Sequence, residues 1–240
     1  MIPARWASTR FPGKPLFEIA GRPLVQHVWD QCQKCKQLDG VVIATDDERI
    51  AQAAGAFGAE VIMTSPNHPT GTDRIGEVLE QLPKATHAIN IQGDEPLIDP
   101  NLIDRLASEL HADTDLEMVT AASQISEAEE IADPNVVKVV LSEFSDALYF
   151  SRSAIPFQRN APDDLVVYRH VGLYAYRRDF VRKFLSWAPT AIERAESLEQ
   201  LRALSHGTRI RVVLTDHVAP GVDTPEQAAA IESILSQSPS

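Results

Sequence analysis

Short apolar runs alternate with helix-like segments through the first half of the chain, and this alternation narrows the choice of fold more than any other feature. Val41-Val-Ile-Ala-Thr45 is apolar or β-branched along its whole length, the mark of a strand covered on both faces. Asp46 and Asp47 follow, placed to cap a helix over 48–57. Glu60-Val-Ile-Met63 is a second strand. The turn-rich loop Thr64-Ser-Pro-Asn-His-Pro-Thr-Gly-Thr72 then leads to a helix over 73–82. Ala88-Ile-Asn-Ile-Gln92 is a third buried strand, ending in Gly93-Asp94-Glu95-Pro96. Asp99 and Pro100 read as the cap and first position of a helix to His111. Ahead of these, Gly21 and Pro23 mark a turn and the start of a helix that carries Leu24, Val25 and Val28 toward Lys36. The alternation predicts an α/β fold: an open, mostly parallel sheet with helices on both faces. After about residue 116 the pattern changes. Runs at 136–141 and 147–151 predict a hairpin, and 166–176 a further strand. Helices are expected over 179–187 and 193–206, a strand over 210–214, and a last helix from Pro225 to about 235. Nothing resembles a linker or a repeat, so the expectation is one domain over 1–240. Its antiparallel part, 136–176, is inserted beside the parallel sheet.

A chain of 240 residues suffices for one large domain or two modest ones. With 44% apolar and 23% charged residues it has the composition of a soluble globular enzyme. No apolar run approaches the ~20 residues of a membrane span, and no signal-peptide pattern opens the chain. Cys32 and Cys35 form a lone Cys-x-x-Cys without the second pair that zinc would need. They read as helix residues in a reducing cytoplasm.

Charge is concentrated in one place. The net charge is −12, yet residues 1–22 hold four basic residues (Arg5, Arg10, Lys14, Arg22) against the single acid Glu18. Arg5, Arg10 and Lys14 share a stretch with Ser8, Thr9, Pro12 and Gly13, a composition that disfavours both helix and strand. Three cations on a short irregular loop repel one another unless an anion joins them. Arg supplies a planar fork for phosphate oxygens, Lys a mobile point charge, and N–H groups near Gly13 an anion-binding nest. A small polyphosphate fits this arrangement. DNA, which needs a broad basic face, does not. A Walker loop would need Gly where Ser8 stands and Ser or Thr where Pro15 stands. No Gly-x-Gly-x-x-Gly occurs, which argues against a nicotinamide dehydrogenase.

Ligands of open α/β sheets bind beyond the carboxyl ends of the strands. Asp94 stands there, after Gly93, and a short carboxylate in that place suits Mg²⁺ shared with phosphate oxygens. Asp223, between Gly221 and Pro225, reads equally well as a helix N-cap or a second metal ligand; beside Asp94 and the cationic loop, the ligand reading is preferred.

The run Ile2-Pro-Ala-Arg5-x-x-Ser8-x-Arg10-x-Pro12-Gly13-Lys14-Pro15 closely resembles the 3-deoxy-manno-octulosonate (Kdo) cytidylyltransferases, as do Gln92-Gly-Asp-Glu-Pro96 and Gly221-Val-Asp-Thr-Pro225. The first signature is shared with sialic acid cytidylyltransferases. Tyr149-Phe-Ser-Arg152-Ser-Ala-Ile-Pro156, His170-Val-Gly-x-Tyr174 and Leu198-Glu-Gln-Leu-Arg202 favour the Kdo branch. The resemblance covers nearly the whole chain and implies a nucleotide-diphospho-sugar transferase fold. It implies transfer of CMP from CTP to the anomeric hydroxyl of Kdo, with release of pyrophosphate, for lipopolysaccharide synthesis in the cytoplasm. It implies that Arg5 and Lys14 neutralise the triphosphate with support from Arg10, that Asp94 and Asp223 hold Mg²⁺, and that Arg74 in Gly71-Thr-Asp-Arg74 contacts the nucleotide. Gln92, Arg152, His170, Tyr174, Glu199 and Gln200 resemble sugar-contacting positions. The plainer alternatives are a helix N-terminus for 71–74, core packing for His170 and Tyr174, and a solvated helix face for Glu199 and Gln200. A related acceptor (sialic acid or 8-amino-Kdo) and a non-catalytic nucleotide-binding protein are the competing functions. The family further implies a homodimer that pairs through the 136–151 region, with no nucleic-acid partner and no membrane insertion. Family members also carry several apolar residues before Ile-Pro-Ala-Arg. Met1-Ile2-Pro3 is shorter than a typical ~5–6-residue strand, so the natural start is expected upstream of Met1.

Overall fold

The structure is a computed structural model, and it describes residues 1–7, 11–160, 162 and 164–237. The chain forms two compact units, Met1–Asp104 with Ala219–Ser240, and Arg105–Val218. The expected antiparallel segment 136–176 falls within the second.

The first unit begins with β1 (Ile2–Ala4), a short ribbon of β2 (Glu18–Ile19) and β3 (Arg22–Pro23), and α1 (Leu24–Cys32). It continues with β4 (Val42–Thr45), α2 (Glu48–Ala56), β5 (Glu60–Met63), α3 (Gly71–Gln81) and β6 (His87–Asn90). β4 lies between β1 and β5, parallel to both, with Ile2 opposite Ile43 and Val42 opposite Glu60. All four β4 residues are buried, as an unbroken apolar run requires when helices cover the sheet on both faces. Met1 links β1 to the third strand expected from sequence. Its ammonium donates to the Ile89 carbonyl at 2.8 Å, and its carbonyl accepts from the Ile91 N–H at 3.0 Å.

α1 ends at Cys32, short of the expected Lys36. The Asp104 carboxylate accepts from the N–H groups of Lys36 and Gln37 at 2.9 Å, groups that a continuing helix would have used. Cys35 therefore stands beyond the helix, and burial pushes both thiols up, Cys32 to about 11 and Cys35 to about 12. They stay protonated and unreactive at neutral pH. α3 begins before the expected Asp73. Thr70 caps it, accepting from the Asp73 N–H at 3.2 Å, and Asp73 reciprocates by accepting from the Thr70 N–H at 3.1 Å. α4 (Pro100–Ala112) starts as expected, with the Asn101 N–H donating to Asp99 Oδ1 at 2.9 Å. The C-terminal helix, Pro225–Gln237, buries Ala228 and Ile231 against Ile19, Leu24 and Val222.

The second unit contains β7 (Met118–Gln124), α5 (Ala128–Ala132), β8 (Lys138–Leu141), β9 (Ala147–Ser151) and β10 (Tyr168–Arg177). α6 (Arg178–Leu185), α7 (Ala191–Glu196), α8 (Gln200–Ser205) and β11 (Ile210–Leu214) follow. Its strands run in the order β11-β7-β10-β8-β9. β8 and β9 form the expected hairpin. β7 escapes the sequence reading because Met-Val-Thr-Ala-Ala-Ser-Gln has little β propensity; its place between β10 and β11 secures it. The helix expected over 193–206 is two helices, broken where Ser197 takes φ 52°. The break lets Arg202 fold back on Glu193 with two bonds of 2.9 and 2.5 Å, a buried bidentate pair.

Candidate active site

The cationic loop leaves β1 and returns through Gly13, where φ is +72°, into a turn of 3₁₀ helix at Lys14–Leu16. A left-handed residue at this corner favours glycine, and it aims Lys14 at the strand ends. Lys14 Nζ donates to Asp94 Oδ2 at 2.6 Å and to Asp223 Oδ1 at 3.0 Å. Burial alone would lower the lysine, but the two carboxylates outweigh it and hold its pKa above the ordinary value. Three residues far apart in sequence thus converge on one point. Asp94 is delivered by Gly93, whose α-carbon passes so close to β1 that an added Cβ would stand 2.8 Å from the Pro3 carbonyl oxygen. The Val222 N–H donates to the Asp94 carbonyl at 2.9 Å, bringing Asp223 alongside.

The two readings of Asp223 separate here. Thr224 caps the C-terminal helix, its Oγ1 accepting from the Gln227 N–H at 3.4 Å, while Gln227 Oε1 accepts from the N–H groups of Asp223 and Thr224. The Asp223 carboxylate accepts from Lys14. A cation already sits between the Asp94 and Asp223 oxygens. Two carboxylates converging on one cationic point fit Mg²⁺, which takes a few protein oxygens and fills its remaining positions with water and phosphate. Among the described residues there is no cluster of three or more acidic, His or Cys side chains that could hold a metal ion.

Arg5 Nη2 donates to the Thr70 carbonyl at 2.9 Å, tying the cationic loop to the α3 cap. Its pKa is lowered by burial and by the nearby Arg74. Arg74 itself is fully buried. Its Nη2 donates to Asp46 Oδ2 at 3.0 Å and its Nη1 to Thr64 Oγ1, while Nε has no partner among the described residues. The guanidinium thus braces the ends of β4 and β5. Gln92 stands at the end of the β6 segment, half-buried. Arg10 lies outside the described residues.

The remaining expected residues belong to the second unit. Arg152 is held from several sides: Nε donates to the Glu196 carbonyl at 2.8 Å, Nη1 to the Pro134 carbonyl at 3.0 Å, and its N–H to Glu196 Oε2 at 2.9 Å. The buried Lys138 ammonium donates to the carbonyls of Asp133, Val136 and Arg152 at 2.8, 2.6 and 2.6 Å, using all three of its protons. His170 and Tyr174 flank a bulge in β10: Val171 pairs with Ala121 and Tyr174 with Thr120, so two residues are inserted and both rings still share a face, 5.3 Å apart. The Thr120 hydroxyl donates to the Leu173 carbonyl at 2.8 Å and so accepts from His170 Nε2–H at 2.9 Å. Burial drives His170 down to about 3, and it is neutral with Nδ1 as its acceptor. Tyr174 is pushed up by burial, Tyr176 and Glu199, and keeps its proton. Gln200 is buried, and its Nε2 has no partner among the described residues. Such a group is costly unless a ligand satisfies it. Glu199 lies 3.8 Å from Arg202.

Glu95 is the site residue that sequence reasoning passes over. Burial and the charge of Asp94 raise its carboxyl to about 7, and Oε2 has no partner among the described residues. Its place beside Asp94 was visible, but its burial was not.

A nucleotidyl-transfer site on an α/β sheet is what this fold and geometry define, and comparison with known proteins agrees. The profile of the cytidylyltransferase family matches residues 1–210, and the chain belongs to that family. It is 49% identical over 99% of its length to 97% of a 3-deoxy-manno-octulosonate cytidylyltransferase of Geobacter metallireducens. It is 48% identical, over 98% of its length and 96% of the relative, to the enzyme of that name from Pseudomonas fluorescens. Among solved structures, a CMP:2-keto-3-deoxy-manno-octonic acid synthetase complexed with CTP superposes with a TM-score of 0.95 at 43% identity, covering 98% of this chain and 97% of the other. A glucose-1-phosphate thymidylyltransferase from Bacillus anthracis shares the fold at a TM-score of 0.70 and 14% identity, covering 100% of this chain and 95% of the other. Among the described residues no helix is long and apolar enough to cross a membrane.

Proposed function

We propose that this chain transfers CMP from CTP to the anomeric hydroxyl of 3-deoxy-D-manno-octulosonate, giving CMP-Kdo and pyrophosphate for lipopolysaccharide synthesis in the cytoplasm. The observation that carries the reading is the meeting of Lys14, Asp94 and Asp223 at one point beside the cationic loop. Arg5, Arg10 and Lys14 neutralise the triphosphate, and Asp94 and Asp223 hold Mg²⁺. When bound, the metal polarises the α-phosphate and favours loss of the hydroxyl proton. The protein's own part is positioning and charge neutralisation, because phosphoryl transfer asks for little covalent help. Lys14 moves its donors from the carboxylates to phosphate oxygens, and Arg5 keeps the loop tied to Thr70 while the nucleotide docks. Arg74 serves the nucleotide by bracing the strand ends. Gln92, Arg152, His170, Tyr174, Glu199 and Gln200 bind the sugar acid: Arg152 supplies the cation for its carboxylate, and the neutral His170, Tyr174 and Gln200 hydrogen-bond its hydroxyls. The active form is a homodimer.

The test supplies CTP or UTP with Kdo, 8-amino-Kdo or sialic acid, with and without Mg²⁺, and measures pyrophosphate. Turnover is expected with CTP, Kdo and metal together. Pyrophosphate formed only with sialic acid or only with the 8-amino sugar would reassign the acceptor, and nucleotide binding without pyrophosphate would leave a binding protein.

A further inference from the structure

A stack of side chains that takes no part in the mechanism above packs against Gly13, the residue before Lys14. Trp6 packs flat on the α-carbon of Gly13: an added Cβ at Gly13 would stand 2.9, 3.1 and 3.3 Å from three atoms of the indole ring. The backbone repeats the contact, with the Gly13 N–H donating to the Trp6 carbonyl at 3.1 Å. On the ring, Arg49 places its guanidinium carbon 3.4 Å from the ring centroid, a cation–π contact. Arg49 is itself fixed. Its Nε donates to Asp47 Oδ1 at 2.9 Å and its Nη2 to Oδ2 at 2.6 Å. The same Asp47 caps α2, Oδ1 accepting from the Arg49 N–H at 2.9 Å.

A chain of contacts therefore runs from the α2 cap through Arg49 and Trp6 to Gly13, and Lys14 is the next residue. Gly13 holds the left-handed turn that aims Lys14, and only a residue without Cβ leaves room for the indole. We propose that Trp6, clamped by Arg49, is a positioning residue for the CTP triphosphate: it presses the Gly13–Lys14 corner into the conformation that presents the Lys14 ammonium to phosphate oxygens. The proposal rests on the function given above. Trp6 and Arg49 act through the loop and leave the sugar acid to other residues. A structural role alone would lower stability without separating the two substrates.

The experiment compares Trp6→Ala, Trp6→Phe and Arg49→Met with the wild-type chain, all with Mg²⁺. It measures KM for CTP, KM for Kdo, the melting temperature and amide hydrogen exchange of the segment 11–16. Trp6→Ala is expected to raise KM for CTP by about tenfold and to leave KM for Kdo within about twofold, because it loosens only the triphosphate cradle. Exchange over 11–16 accelerates in the same variant. Trp6→Phe, which keeps a ring on Gly13, recovers most of the affinity. Arg49→Met, changed at a side chain that is 55% exposed and so compatible with folding, shifts KM for CTP in the same direction by a few-fold. An unchanged KM for CTP in Trp6→Ala, an equal rise in both KM values, or Trp6→Phe as impaired as Trp6→Ala would overturn the proposal. If Trp6→Ala does not fold, an unaltered KM for CTP in Arg49→Met overturns it. A wild-type chain that turns over no CTP defeats the functional reading and this one together; wild-type turnover with indifferent variants defeats this one alone.

Discussion

Asp94, Asp223 and Glu95 are three carboxyl groups given different tasks by their surroundings. Asp94 and Asp223 share the Lys14 ammonium; under the function proposed above each is also a metal ligand, whose loss costs on the order of 10–100-fold or more in affinity or rate. Asp94→Asn should abolish turnover while CTP binding survives; near-normal turnover at limiting Mg²⁺ counts against the assignment. Asp223→Asn should lose turnover with little change in melting temperature, because Thr224 and Gln227 do the capping; a lowered melting temperature with intact turnover would give Asp223 back to the helix. Glu95 behaves otherwise. Burial and Asp94 raise its folded-state pKa to about 7 from the ordinary 4.5. Between those values the folded chain keeps a proton that the unfolded chain releases, so stability falls as pH rises through the window. The loss is at most roughly 3 kcal/mol. Glu95→Gln removes it. With a chelator present, the melting temperature of the wild type should fall more between about pH 5 and about pH 8 than that of Glu95→Gln. Parallel curves would show that Glu95 ionises freely in the folded state.

Elements were legible where local rules decided them. The strand 60–63 and the strand 210–214 fall where alternation and β-branched content put them. The helix from Pro100 starts at its expected cap. β7 was not legible, since Ala and Ser in a strand are explained only by the neighbours that bury them. Nor was the break at Ser197, which serves the Arg202–Glu193 pair across nine residues of sequence. The candidate site divides in the same way. The cationic loop and the two aspartates advertise themselves through residue type, and the sugar-contacting set is legible only by resemblance. What remained hidden depends on one segment crossing another: Trp6 on Gly13, Arg74 turned inward, Glu95 buried. Gly93 is the sharpest case. An alanine there would set its Cβ 2.8 Å from the Pro3 carbonyl oxygen, and the obstacle is backbone, which cannot swing aside. Gly93→Ala should cost about 1–3 kcal/mol. It should also cut turnover, because Asp94 is the next residue and moves with it. A wild-type melting temperature would mean that the backbone at this crossing yields to the added methyl group.

At the scale of the whole molecule, the surface of the second unit bears on how many chains act together. The β8–β9 hairpin carries Phe144 in its turn, 78% exposed, and Leu148 on β9, 59% exposed. Large apolar side chains scattered singly on a surface need no explanation, but two on one hairpin, in the segment by which the family resemblance implies pairing, make a self-complementary contact the economical reading. Burying a Leu and a Phe on each chain removes apolar area worth about 1.5–3 kcal/mol per side chain. That is enough to matter once the surrounding strands also pair, and too little to hold a dimer alone against the entropy of association. The net charge of −12 works against any further clustering and favours a closed pair over open aggregates. Light scattering at micromolar concentration should therefore give twice the 26.4 kDa of the chain. Leu148→Glu buries a carboxylate in the proposed contact and should shift the mass toward one chain while leaving the melting profile cooperative. A wild-type mass of one chain would remove the dimer from the proposal. A wild-type dimer that Leu148→Glu does not disturb would keep the dimer and move its contact away from this hairpin.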